Sequence, residues 1–169
     1  MEIVVSVMED AVKTIIYNYQ CGKEIIPSDI TKSVISVIEG LDYSLGKYDI
    51  NHFKENLSDQ LKMQGWSGKV NLSVKSSISI TSILKDVGLC TQTGNMARMY
   101  ADLLKLQALY MDEKIKAAIF VLPTKECANS FGVNVANYER FLNELTIIFS
   151  KVITVPMVIV GFDNEKEVR

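Results

Sequence analysis

The sequence predicts a single α/β domain, a mixed β-sheet flanked by helices, on three observations. The 169 residues are enough for one sizeable core and too few for two ordinary ones. Helical periodicity fills the first third of the chain, then gives way at residue 69 to strict alternation of apolar and polar residues. After that alternation, helical stripes and short apolar runs take turns to the end, the order that places strands between crossover helices.

Taken in order, Val12, Ile15, Ile16 and Tyr19 fit one face of a helix over 6–20, with Gly22 as its stop. A second helix starts at Ser28, turns Ile30, Val34, Val37 and Leu41 inward, and ends near Gly40. A third runs from Asn51 through Phe53, Leu57 and Leu61 to Gly65. From Lys69 to Thr81 the residues Val70, Leu72, Val74, Ile78 and Ile80 alternate with polar ones, which predicts one long strand. Lys85 to Gly88 turn it back, so that Leu89 to Thr93 forms the second strand of a hairpin. Met99, Leu103, Leu106 and Tyr110 mark the next helix, and the apolar run Ala117–Leu122, closed by Pro123, suits a buried central strand. Asn134 is placed to cap a helix carrying Tyr138, Leu142, Leu145 and Phe149, and Val152 to Val160 forms the last strand.

Composition narrows the function classes. The formal charge of −2 advertises no nucleic-acid partner globally, so a DNA-binding face would be a local patch. Cys21, Cys90 and Cys127 are widely spaced, with no Cys-x-x-Cys pair and no neighbouring histidine, which argues against a disulfide framework and a zinc site. No apolar run approaches the roughly 18 residues of a membrane span. The opening Met1–Met8 holds Glu2 and is followed by Glu9 and Asp10, unlike the basic start of a secretion signal, so a soluble cytoplasmic protein is expected.

Several ordered segments carry a resemblance. They are Leu61–Trp66, Gln92-Thr93-Gly94-Asn95, Asp102-Leu103-Leu104-Lys105-Leu106-Gln107, Ile119-Phe120-Val121-Leu122-Pro123-Thr124 and Val155–Gly161. In this order they resemble the BglII-type restriction endonucleases of the PD-(D/E)xK superfamily, over roughly residues 55–163. The resemblance implies a restriction-endonuclease-like domain spanning 1–169, with 1–48 as a helical N-terminal part and 49–163 as the nuclease-like core.

In such enzymes an aspartate and a glutamate on the hairpin hold Mg²⁺ against the scissile phosphate, and a glutamine follows the glutamate on the same strand face. Here Thr81 and Cys90 fall at the two carboxylate positions, with Ser82 beside Thr81 should the register slip by one, and Gln92 alone keeps its type. A hydroxyl and a thiol are poor ligands for a hard dication. Glu55, one turn from Asp59, is the candidate for a surviving ligand, although both also suit a solvated helix face. His52 and Asp86 read as a helix-start residue and a turn former.

Lys69 and Lys75 on the polar strand face, Gly94, Asn95 and Arg98 at a helix start, and Lys125, Asn129 and Ser130 on a following loop are the candidate DNA contacts. The expected function is DNA binding on a BglII-like fold with a degenerate catalytic centre and no cofactor. The alternatives are an active Mg²⁺-dependent endonuclease cutting a palindrome, and a protein-interaction module that keeps only the fold. Duplex DNA and a second copy of the chain are the expected partners, and no membrane is.

Overall fold

The computed structural model describes residues 12–41 and 50–164. A five-stranded sheet is built from β1 (Val12–Tyr19), β4 (Ser82–Leu84), β5 (Val87–Thr91), β6 (Ala117–Pro123) and β7 (Met157–Asn164), in the order β1-β7-β6-β5-β4. The three inner strands run parallel and the two edge strands antiparallel to their neighbours. Helices α1 (Gly22–Ile25), α2 (Ser28–Glu39), α3 (Ile50–Met63), α4 (Met96–Met111), α5 (Lys125–Phe131) and α6 (Tyr138–Ile147) flank it.

Every residue of β6 is buried, as expected of a central strand covered on both faces. Its side chains alternate between two cores. Ala117, Ile119 and Val121 join Ile30, Val34, Phe53 and Leu57 of α2 and α3, while Ala118, Phe120 and Leu122 join Met99, Leu103 and Leu106 of α4 and Phe141 of α6. Phe53 stacks on Phe162 at 4.9 Å in the first core, and Phe120 lies 4.5 Å from Phe141 in the second. The result is a helix–sheet–helix sandwich.

The helix expected over 6–20 is corrected where it is described: Val12–Tyr19 is a strand, paired with β7 from Val12↔Asn164 to Tyr19↔Met157, so the N-terminal part is not wholly helical. Residues 6–11 of that expectation lie outside the described residues. Val12, Thr14, Ile15 and Ile16 are β-branched, lose side-chain freedom in a helix, and find in β7 a partner that sequence periodicity does not reveal. The turn that follows packs so closely on the sheet that a Cβ on Gly22 would stand 2.3 Å from the Met157 carbonyl carbon.

The single strand expected over 69–81 is also corrected. It breaks into β2 (Val70–Asn71) and β3 (Ser79–Ile80), which pair with each other, and then into β4. Serines cause the break. Ser73 Oγ accepts from the Lys75 N–H at 3.2 Å and Ser76 Oγ from the Ile78 N–H at 3.1 Å, turning the chain locally instead of extending it. The hairpin of β4 and β5 forms as expected, but its turn is only Lys85 and Asp86, so the second strand starts at Val87.

Helix α5 was not expected. Thr124 caps it, accepting from the Cys127 N–H at 3.3 Å. For α6 the cap is Asn137 rather than Asn134, which adopts a left-handed conformation instead. The last strand begins at Met157, later than expected, because a 3₁₀ turn at Phe149–Lys151 and Pro156 precede it.

Candidate functional site

At the carboxyl end of β5, α3, the β2–β3 arm and α4 enclose a cavity of about 380 Å³ lined by Lys54, Ser58, Lys69, Thr81, Thr91 and Asp102, among others. This is the end of a parallel sheet at which α/β folds bind ligands. Thr81 reaches it because the chain kinks between β3 and β4, and its Oγ1 accepts from the Thr91 N–H at 3.0 Å. Ser82 points elsewhere: it is buried, and its Oγ accepts from the Gly68 N–H at 2.8 Å.

Cys90 does not line the cavity. It is 1% exposed and packs with Ile80, Met96 and Met99, and burial raises its thiol far above the ordinary range, with Asp102 adding to the rise. The thiolate is therefore suppressed, and Cys90 is a neutral core residue. Gln92 is buried beside it. Its Nε2 donates to Asp102 Oδ2 at 2.6 Å, and its Oε1 accepts from the Gly94 N–H at 2.8 Å. The other Asp102 oxygen accepts from Lys105 Nζ at 2.8 Å.

Asp102 and Lys105 were quoted above only as part of the resemblance, and sequence reasoning did not assign them a site role. The available signal was an acidic residue beside the buried stripe Met99, Leu103 and Leu106, with a lysine one turn on. A carboxylate so placed demands a partner. Lys54, Ser58 and Thr91 gave no such signal.

Glu55 is exposed on α3 and is not among the residues lining the cavity, which takes Lys54 and Ser58 from that helix. Asp59 is exposed and 3.8 Å from Lys62. Exposed His52 lies 3.1 Å from Asn56 through its Nε2. Asp86 stays in its turn, 3.1 Å from Lys116. Among the described residues no group of three or more His, Cys, Asp or Glu side chains is placed to hold a metal.

Of the candidate DNA contacts, Gly94, Asn95 and Arg98 gather at the start of α4. Asn95 caps that helix, accepting from the Arg98 N–H at 3.1 Å. The Ala136 N–H donates to the Gly94 carbonyl at 2.8 Å and Asn95 bridges Val135, so the segment after α5 lies against this helix start. Lys125 and Asn129 are exposed on α5, and the Ser130 hydroxyl donates to the Cys127 carbonyl at 2.6 Å. Lys69 lines the cavity. Lys75, expected on a strand face, is in the β2–β3 turn. The base of that turn, Leu72, receives Lys114 Nζ at 3.0 Å, beyond the far end of α4 from Arg98. The structure therefore does not bring Lys75 together with the others.

Helix α4 has a second notable face. Ala97, Ala101, Leu104, Ala108 and Met111 are all exposed and follow at intervals of four and three, with Leu104 at 64% and Met111 at 73% exposure. This is the spacing of a helix–helix seam.

A mixed sheet with an edge hairpin, and a polar cavity where the hairpin meets α3 and α4, defines a restriction-endonuclease-like domain. The family model of restriction endonuclease BglII/BglIII matches residues 14–162, and the chain belongs to that family. Among solved structures, restriction endonuclease BglII complexed with a DNA 16-mer superposes with a TM-score of 0.79 at 16% identity, covering 92% of this chain and 80% of that one. Free BglII gives 0.71 at 18% identity, covering 92% and 82%. No curated protein matches significantly in sequence. No helix among the described residues is long and apolar enough to cross a membrane.

Proposed function

We propose that this chain binds duplex DNA as a homodimer and does not cleave it. One observation carries the reading: the one carboxylate lining the cavity, Asp102, already serves Gln92 and Lys105, while Thr81 and a buried neutral Cys90 stand where the resemblance implies the family's metal-binding carboxylates. These donors do not fit Mg²⁺, which seeks charged oxygens in near-ideal octahedral geometry. Gln92 offers an amide whose oxygen is bonded to the Gly94 N–H.

DNA binding is favoured by family membership and by the exposed Arg98 and Lys125 at the cavity's end of the sheet. Two-fold pairing is favoured by the α4 seam, whose alanines allow close approach and whose Leu104 and Met111 would leave water on contact. Leu104→Glu should turn a dimer into a monomer in light scattering at tens of micromolar, a range typical of weak interfaces. A wild type that is monomeric under these conditions contradicts the pairing.

The test of DNA binding is fluorescence anisotropy with short duplexes across a salt series. Arg98→Ala and Lys125→Ala should each weaken binding about uniformly across sequences and flatten the slope of log affinity against log salt by roughly one. Unchanged affinity and slope in both variants would place the DNA elsewhere, and no binding by wild type would favour the protein-interaction alternative.

A further inference from the structure

We propose that the outer edge of β1 accepts an extended segment of a partner protein as an added strand, one with lysine or arginine at two positions four residues apart and apolar residues between them. In the order β1-β7-β6-β5-β4 this edge lies across the sheet from the β4–β5 hairpin, so the proposal is independent of the DNA reading.

The two edges of the sheet are finished differently. At β4 the edge is closed by Ser67, whose N–H donates to the Ile83 carbonyl at 3.1 Å and whose Oγ accepts from the Ile83 N–H at 3.0 Å. β1 is eight residues long against three for β4, and its ladder with β7 is unbroken. On its outer side, among the described residues, the backbone of Thr14 to Asn18 makes no hydrogen bond. Proteins blunt open edges with proline, a bulge or a charge, and Thr14 to Asn18 contain none of these. Instead Ile15, Ile16 and Tyr17 are 52%, 45% and 37% exposed. An added strand would satisfy the open backbone groups and cover this apolar surface on both faces.

Charge decides which strand fits. Thr14, Ile16 and Asn18 share one face of β1, and a carboxylate is held at each end of that face. Thr14 Oγ1 donates to Glu39 Oε1 at 2.5 Å, and Asn18 Nδ2 lies 2.9 and 3.1 Å from the two Glu24 oxygens. Both donors are neutral, and neither glutamate makes a salt bridge, so two uncompensated negative charges flank the edge. The bond from Asn18 also holds the Glu24 carboxyl below its ordinary range. A strand laid beside β1 sets one residue opposite each of Thr14, Ile16 and Asn18. Cations in the outer two places meet Glu39 and Glu24, and an apolar residue in the middle place meets Ile16. On the other face, apolar residues meet Ile15 and Tyr17. The resulting pattern, basic, three apolar, basic, reads the same in both strand directions. A second β1 does not supply it: its residues 14–18 hold no cation, and two-fold pairing would bring the Glu24 and Glu39 carboxylates of both copies to one seam.

The experiment titrates the full chain with the synthetic peptide Thr-Lys-Val-Ile-Val-Lys-Thr, with its counterpart bearing glutamate at both lysine positions, and with the lysine peptide N-methylated at its three central amides. The lysine peptide should shift the backbone amide resonances of Thr14 to Asn18 and slow the hydrogen exchange of the fast-exchanging amides among them. The N-methylated peptide should do neither. A Glu24→Gln/Glu39→Gln double variant changes two exposed residues, so folding should be retained and is checked by circular dichroism. It should bind the lysine peptide about threefold to tenfold more weakly than wild type does, the worth of two exposed ion pairs. That difference should fade as salt is added. Equal binding of the lysine and glutamate peptides by wild type overturns the partner's chemistry, and equal effects of the N-methylated peptide overturn strand addition. No response of Thr14 to Asn18 to the lysine peptide overturns the surface itself. Slow exchange of all these amides without peptide would show the edge already taken, by a second copy if dilution reverses it and by the chain itself if not, and either result overturns the assignment.

Discussion

Helix α4 buries two polar side chains, Asp102 and Gln107, just over one turn apart, and they are satisfied in opposite ways. Gln107 is neutral and bonds mainly backbone: its Oε1 accepts from the Thr154 and Val155 N–H groups, each at 2.9 Å, and its Nε2 donates to Thr154 Oγ1 at 2.9 Å. It ties α4 to the segment that leads into β7. Asp102 is charged, bonds only the side chains of Gln92 and Lys105, and borders a cavity. A buried carboxylate needs compensation to be tolerated at all, and removing Asp102 alone would leave the Gln92 amide and the Lys105 ammonium without their shared partner. The neutral amide that binds backbone is a fastener, whereas the charge that binds side chains sets the electrostatics of the cavity wall.

The contrast can be broken most forcefully at Gln107. Gln107→Leu strands the buried Val155 N–H and removes the partner of Thr154, and should destabilise the protein by about 2 kcal/mol, or roughly 4–8 °C in melting temperature. Calorimetry checks this, and duplex affinity at a temperature where the variant is folded should not change. A loss of affinity in the folded variant would mean that the two positions are not separable.

Asp102→Asn should give the opposite pattern. Gln92 keeps an amide oxygen to donate to, so stability should change by no more than about 1 kcal/mol. The cavity gains a unit of positive charge, and duplex affinity at low salt should rise about fivefold to tenfold, with the gain fading as salt is added. Anisotropy titration checks it. Weaker binding would show Asp102 to be a contact in its own right.

Much of the sandwich was legible in the sequence because periodicity reports burial. The stripes of α2, α3 and α4 and the unbroken apolar run of β6 each name their core residues. What stayed illegible depends on partners distant in sequence. Val12–Tyr19 fits a helical stripe equally well, and only its pairing with β7 makes it a strand. The alternation over 69–81 misled because a two-residue period ignores serine side chains that capture nearby N–H groups. The resemblance pointed to Thr81 at the hairpin, which lines the cavity. Asp102, Lys54 and Thr91 reach the same space from other elements, and no local spacing joins residues that meet only through the sheet.

Binding without cleavage is tested most directly by incubating highly purified wild type with duplex DNA, in parallel with EDTA, Mg²⁺ and Mn²⁺, and measuring retention and strand breaks on the same samples. The expected result is retained DNA with intact strands under all three conditions. Metal-dependent cleavage by wild type, lost on Glu55→Ala or Asp102→Ala, would contradict it and establish a working nuclease with displaced ligands.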